Sequence, residues 1–340
     1  MGTTTTEGIR FIHMGTKLAS GRLEVGTRSR YAQRLGAYAT FCETHMGSTW
    51  EEALPPTPGK ALPMHRVLAF MASLSERMTA GTMDGYAAAI NKWHKEKGID
   101  SPLSAQLLQD TLAKCRKDGV TRKGPGAKAP ITGAQIKGMV ELLKWQCTNS
   151  TSLDEKWVCV RDMGVLVLGY GCLLRRSELA NLRVGDVTKD EGQRCFWVRV
   201  RRSKTDQAGA GVTLPLAWEV SSRIAVQQVV SSLLAQHSRW ESDPDSMLLG
   251  NRGRRPGPVS KEQLGKIIKE RVGEWAEWAG VAINLSTIGT HSLRRGGATA
   301  LYEAGTSAVD IKRLGRWRSD CFIKYLEMST QLQVAVSGKL

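Results

Sequence analysis

The sequence predicts an α-rich, multidomain chain. An all-α helical bundle over residues 27–119 precedes a mixed α+β domain over 132–329 that carries a small antiparallel sheet. Three observations predict it. Apolar residues recur at helical spacing up to residue 119; the stretch "VTRKGPGAKAPI" (120–131) breaks every period; and beyond it two alternating segments stand among helical ones. A chain of 340 residues is long enough for two cores.

The elements follow in order. Residues 1–26 open with "MGTTTTEGIRFIHMG", which lacks the apolar centre of a signal peptide and reads as a flexible tail. In "TRSRYAQRLGAYATFCETHM", Tyr31, Leu35, Tyr38 and Cys42 share one helical face. "HRVLAFMASLSERM" aligns Val67, Phe70, Met71, Leu74 and Met78, and "TMDGYAAAINKWHKEKG" aligns Tyr86, Ile90 and Trp93 before a stop at Gly98. A fourth helix is expected from Ser101 to Gly119, with Pro102 in its first turn. Four helices of this length make a small bundle. Glycine, proline and lysine then mark 120–131 as a basic linker.

Beyond the linker, "ITGAQIKGMVELLKW" and "DEKWVCVRDMGVLVLGYGCLL" read as helices. "CFWVRVRR" (195–202) alternates as a strand with Phe196, Val198 and Val200 on one face. "AGVTLPLA" (210–217) is its partner, and "SKTDQAG" between them supplies the turn. "EVSSRIAVQQVVSSLLAQH" returns to helix, "NRGRRPGP" reads as an exposed basic loop, and Ser260 with Gln263 forms a capping box ahead of a further helix. Residues 330–340 read as a C-terminal tail.

The chain holds 48 Lys+Arg against 32 Asp+Glu, a net charge of +16. That excess calls for a polyanionic partner, nucleic acid ahead of a membrane surface, because no basic amphipathic helix carries an aromatic face. No apolar run reaches the length of a membrane span. Seven dispersed cysteines without a CxxC pair argue for reduced thiols inside a cell, most of them small core hydrophobes, and against structural zinc.

Four stretches carry cations that a core has no use for: "LLRRSELANL" (173–182), "RRSKTDQ" (201–207), "THSLRRGG" (290–297) and "LGRWRSDCFIKY" (314–325). Their residue types are those of phosphoryl transfer to a side-chain hydroxyl. Arginines hold non-bridging phosphate oxygens, a lysine protonates a leaving alkoxide, and a tyrosine is a nucleophile once its proton is removed.

In that order the stretches resemble the motif boxes of the tyrosine recombinases, the phage-integrase superfamily. The wording around "GRWRSDCFIKY" is most similar to its eukaryotic mobile-element members, the DIRS-like and Crypton branch. The resemblance covers roughly residues 130–330, and the helical half looks like that family's SAM-like core-binding domain. It implies Arg175, His291, Arg294, Trp317 and Tyr325 as catalytic residues, with Tyr325 the nucleophile and Lys204 the general acid. Glu178 is implied as a support that fixes His291 or an arginine, while Arg176 and Arg295 fall outside the pattern. Tyr325 stands eight positions beyond Trp317 where nine is usual, so either Trp317 or Arg316 fills the His/Trp slot. Arg122, Lys123 and Lys128 of the linker, with Arg202, are the candidate DNA contacts.

The implied activity is site-specific cleavage and rejoining of duplex DNA through a 3′-phosphotyrosyl link, with no metal, ATP or other cofactor. It would be carried out by a homotetramer on DNA inside the cell, in the nucleus if the source is eukaryotic and in the cytoplasm or nucleoid if it is bacterial or phage. A type IB topoisomerase and a DNA-binding protein that keeps the fold without catalysis are the alternatives.

Overall fold

The computed structural model describes residues 25–55, 59, 61–103, 105–117, 128–202, 210–240, 242–252 and 257–326. The expectations placed on residues 1–24, on Arg122 and Lys123, on Lys204 and on the tail beyond 326 lie outside the described residues. The chain divides into two compact units, Met1–Gly126 and Ala127–Leu340.

The first unit is all helical: α1 Val25–Met46, α2 Trp50–Ala53, α3 Met64–Ser75, α4 Ala80–Glu96 and α5 Ala105–Lys117. The apolar period marks its core, where Tyr38, Cys42, Val67, Phe70, Met71, Leu74 and Ile90 are buried together. Gly98, at φ 70°, ends the turn after α4 in a conformation that glycine adopts without penalty. Two expectations need correction. The helix expected from Ser101 begins at Ala105, because the Ser101 hydroxyl bonds to the Asn91 side chain and accepts the Leu103 N–H, so Pro102 sits in a turn ahead of the helix. The tail expected through residue 26 is already helical at Val25.

His94 is fully buried in this unit. Its Nε2 accepts the Leu62 N–H (3.1 Å), so its Nδ1 donates to the Ile90 carbonyl (2.8 Å).

The second unit is built around α7 (Leu153–Gly171), which follows α6 (Gly133–Asn149). Residues 159–170 of α7 are buried on every side. A helix buried on every side belongs at a domain's centre, and α7 takes that place with its buried charged pair, Arg161 and Asp162, bridged to each other and Asp162 also to Arg271. The short α8 (Arg176–Ala180) leads to an antiparallel sheet of β1 (Val187–Asp190), β2 (Cys195–Val200) and β3 (Val212–Ala217), in that order. The expected β2–β3 pair forms with Val198 opposite Leu214, and Phe196, Val198 and Val200 face the core.

The helix expected from Glu219 starts only at Val226, where α9 (Val226–Arg239) begins. Ser222 (φ 61°) and Arg223 (φ 55°) are left-handed, and the Ser221 hydroxyl pairs with the Tyr170 hydroxyl at 2.8 Å. Residues 219–225 therefore fold into a two-strand turn, β4 (Glu219–Val220) and β5 (Ile224–Ala225). Then come α10 (Lys261–Trp278), capped by Ser260 and Gln263, α11 (Thr290–Glu303), α12 (Ala308–Gly315) and a 3-10 helix, Asp320–Tyr325.

Arg252, expected on an exposed basic loop, is held in instead. Its guanidinium lies 3.7 Å from the Trp240 ring centroid and donates to His237 Nδ1 and the Ser242 hydroxyl. His237, also buried, therefore donates from Nε2 to the Leu248 carbonyl at 2.9 Å. Cys42, Cys159, Cys172 and Cys195 are free and buried. Among the described residues no helix is long and apolar enough to cross a membrane.

Burial holds the pKa of both His94 and His237 below the ordinary imidazole value. The unfolded chain binds protons at these rings near pH ~6.5 while the folded chain resists them, so their contribution to stability is full above that pH and is lost as pH falls below it. Thermal unfolding of the full chain should therefore show a midpoint that drops between about pH 7.5 and about pH 5.5. His94→Gln combined with His237→Gln should flatten part of that drop, and an unchanged slope would contradict the assignment.

Candidate active site

The pair of glycines in "LRRGG" explains how α11 reaches the centre of its unit. A Cβ at Gly296 would fall on the Ile131 carbonyl, and one at Gly297 on the Tyr170 carbonyl and the Leu173 side chain. Only a bare backbone allows this approach. The contact buries Arg294, one turn from the helix start, against the loop that follows α7. The Arg294 guanidinium donates to the carbonyls of Leu173 and Gly315. The Trp317 ring covers it, with its centroid 4.1 Å from Cζ. Gly315 is required in turn, because a Cβ there would meet the Trp317 ring.

Arg175 stands at the start of α8. Its backbone N–H donates to Glu178 Oε2 (2.8 Å) and its guanidinium to Glu178 Oε1 (2.7 Å) and to the Arg316 carbonyl (2.8 Å). Glu178 is 4% exposed and also takes the Arg316 guanidinium on Oε2 at 2.7 Å. Desolvation alone would raise the pKa of that carboxyl. Arg316, and then the bonds from Arg175, more than offset it and hold the group ionised. Removing one partner of such a buried pair leaves an uncompensated charge, at a cost of about 3–5 kcal/mol.

His291 is exposed at the start of α11, one turn before Arg294. Its pKa lies below the ordinary imidazole value, through partial desolvation and through the cations Arg294, Arg176 and Arg175. A ring kept neutral in this way is able to accept a proton or a hydrogen bond at neutral pH.

Leu173, Ala298, Ile311 and Phe322 form a small apolar cluster, with Trp317 packed against it. The Trp317 ring stacks on Phe322 (5.3 Å, 26°), and the 3-10 helix that carries Phe322 ends at Tyr325. One cluster thus joins the loop before Arg175, the helix of Arg294 and the segment of Tyr325. The side chain of Tyr325 and all of Lys204 lie outside the described residues.

Arg202 is exposed and lines a cleft of about 510 Å³ with Arg183, Arg199, Arg201 and Glu178. Lys128 donates to the Ser286 carbonyl (2.7 Å), and its own carbonyl accepts a bond from Arg295 (2.8 Å).

Of the two supports left open for Glu178, His291 or an arginine, the structure has it on two arginines. Two residues differ from the sequence reading. Arg295, outside the expected pattern, is buried and ties the end of the linker to α11. Arg316, considered only as an occupant of the His/Trp slot, is the second cation on Glu178, a partnership 138 residues apart that no local motif signals.

Three comparisons bear on this arrangement. The model of the phage integrase family matches residues 137–326. An integrase/recombinase XerD homolog of Selenomonas ruminantium is 24% identical over 307 residues, covering 88% of this chain and 81% of its own. The recombinase Cre of Escherichia phage P1 is 24% identical over 260 residues, covering 69% and 67%. Among solved structures, the XerH site-specific recombinase in a post-cleavage complex with palindromic difH superposes with a TM-score of 0.59. It is 13% identical and covers 91% of this chain and 78% of that one. The Tn1549 transposon integrase in complex with a circular-intermediate DNA also gives 0.59, at 15% identity, covering 96% and 97%. The structural likenesses establish the helix-rich fold with its small sheet, and the family match, which takes in Arg175, Glu178, His291, Arg294, Trp317 and Tyr325, establishes that this chain belongs to the phage integrase family.

Proposed function

We propose that this chain is a site-specific DNA recombinase that cleaves and rejoins duplex DNA through a covalent link between Tyr325 and a 3′ phosphate. One observation carries the reading. Arg175 and Arg294, more than a hundred positions apart, are held at one backbone junction by fixed acceptors, beside a neutral His291. Two arginines fixed in this way suit the non-bridging oxygens of one phosphate, where each donor is worth a few kcal/mol in the transition state.

In this reading the Tyr325 oxygen attacks phosphorus and the bond to the 5′ oxygen breaks. Lys204 gives its proton to that oxygen, and His291 exchanges protons with the phosphate or the tyrosine. Rejoining reverses each step. The phosphotyrosyl link keeps the phosphodiester energy, so the cycle calls for neither ATP nor a metal. Trp317 takes the His/Trp slot, which its position over Arg294 supports, and Glu178 acts through the arginines.

The helical unit serves as the core-binding domain and residues 132–329 as the catalytic domain, with the linker cations Arg122, Lys123 and Lys128 and the strand-end Arg202 on phosphates. The +16 charge supports that placement. We assign the working form to a homotetramer on DNA. The wording "GRWRSDCFIKY" supports the eukaryotic mobile-element branch, and the chain would act on DNA in the nucleus if its source is eukaryotic and in the cytoplasm or nucleoid if it is bacterial or phage.

The direct test is covalent capture. A library of nicked duplexes of randomised sequence, incubated with the protein and stripped with detergent, should yield a protein–DNA adduct enriched in one sequence. Tyr325→Phe should bind the same DNA and yield none. An adduct that persists in Tyr325→Phe would refute the assignment, and capture without sequence enrichment would favour a topoisomerase.

The role of Lys204 has its own test on the captured site. Lys204→Ala should slow cleavage by roughly 10²–10⁴-fold, the scale of general acid catalysis. Sulfur in place of the bridging 5′ oxygen makes a leaving group that needs no proton, so the variant should recover most of its rate on that substrate. Arg175→Ala should not recover. Equal rescue of both variants, or none for Lys204→Ala, would reduce Lys204 to a backbone contact.

A further inference from the structure

Two residues beside the site adopt a backbone conformation that side chains other than glycine usually avoid. Leu173 has φ 49°, and Arg316, at the end of α12, has φ 57° and ψ 41°. Left-handed bulky residues persist only where their surroundings over-determine them, and they gather at working sites. Here the two meet. The Leu173 carbonyl accepts from both Arg294 and Arg316, the latter at 3.2 Å.

The left-handed turn points Arg316 inward. Its side chain is 9% exposed and donates to Glu178 Oε2 (2.7 Å) and to the carbonyls of Leu314 (3.0 Å), Leu173 (3.2 Å) and Cys172 (3.3 Å). The same turn points its own carbonyl at Arg175 (2.8 Å). Arg175 is therefore gripped at two points, by the Arg316 carbonyl directly and by Glu178, whose carboxylate Arg316 holds still. Without Arg316, Glu178 would be held only by Arg175 itself, through the backbone N–H on Oε2 and the guanidinium on Oε1, and no other cation would anchor the pair. With the second guanidinium in place, the plane of Arg175 is fixed and its remaining N–H groups are left to a ligand.

We infer that Arg316 is a positioning residue for phosphoryl transfer, orienting Arg175 through Glu178 and through its own carbonyl; the inference rests on the recombinase reading above. It differs from a contact to DNA, since the Arg316 guanidinium is spent on protein acceptors. It differs from a plain structural staple, because its effect runs through one catalytic arginine.

The test is Arg316→Gly in the full chain. Glycine prefers the positive φ at this position, so the turn and its carbonyl stay and only the guanidinium is lost. Single-turnover cleavage of the captured site at saturating DNA should fall about 10- to 100-fold, the scale of a misplaced catalytic group, with DNA affinity unchanged. In an Arg175→Ala background the same change should cost nothing further, because there is no longer an arginine to orient. Arg316→Lys, which keeps a cation beside Glu178 but loses the fork, should show a smaller loss with the same dependence on Arg175, and it carries the test if the glycine variant does not fold.

A loss that simply multiplies with that of Arg175→Ala would overturn the inference. So would weaker DNA binding with an unchanged rate once bound, or a wild-type rate for Arg316→Gly beside a defective Arg175→Ala. A wild-type rate for Arg175→Ala itself would overturn the recombinase reading along with it.

Discussion

A buried guanidinium has to find acceptors, and Arg294 finds them in the carbonyls of Leu173 and Gly315. Those two bonds join three parts of the chain that are far apart in sequence. The first is the loop leaving α7, the second is α11 itself, and the third is the end of α12. Much around them serves the same junction. Gly296 and Gly297 let α11 come close enough, Gly315 makes room for the ring of Trp317, and Leu173 adopts a left-handed conformation at the meeting point. Without the tie, the Tyr325 segment would be held to the rest of its unit by the bonds of Arg316 to Arg175, Glu178, Cys172 and Leu173 and by the cluster around Phe322.

The electrostatics of the site follow from the same geometry. Three arginines gathered within one unit would repel one another and destabilise the fold. Buried Glu178 offsets two of them, and backbone carbonyls take donors from all three. The field left over is positive, and after partial desolvation it is the second cause that lowers the pKa of His291. An anion entering such a site relieves repulsion that the empty site carries. This is the property expected of a pocket built for a phosphate that becomes more negative as it reacts.

Much of the fold was legible because the physics was local. The helices over 133–149 and 153–171 announce themselves by apolar density, and β2 and β3 by strict alternation closed by turn residues. Where tertiary contacts decided, the sequence was silent. Nothing in "EVSSRIA" signals the left-handed Ser222 and Arg223, and the start of α5 is displaced by a bond from Ser101 to Asn91, on another helix. β1 escaped notice because its four residues show no alternation. The candidate site divides in the same way. Arg175, His291, Arg294 and Trp317 stand out as residue types in an ordered set, and the fold gathers them at one junction. The partners of Glu178 and the inward turn of Arg316 depend on contacts between segments well over a hundred positions apart, which no single motif contains.

The central claim is that Arg175 and Arg294 stabilise negative charge on one phosphate that Tyr325 attacks. Replacing a non-bridging oxygen at the scissile position by a methyl group removes that charge and leaves the leaving group unchanged. Single-turnover cleavage of this methylphosphonate should be far less sensitive to Arg175→Ala or Arg294→Ala than cleavage of the natural phosphate, while remaining wholly dependent on Tyr325. An equal loss on both substrates would mean that the two arginines only hold the protein together, and would contradict the account.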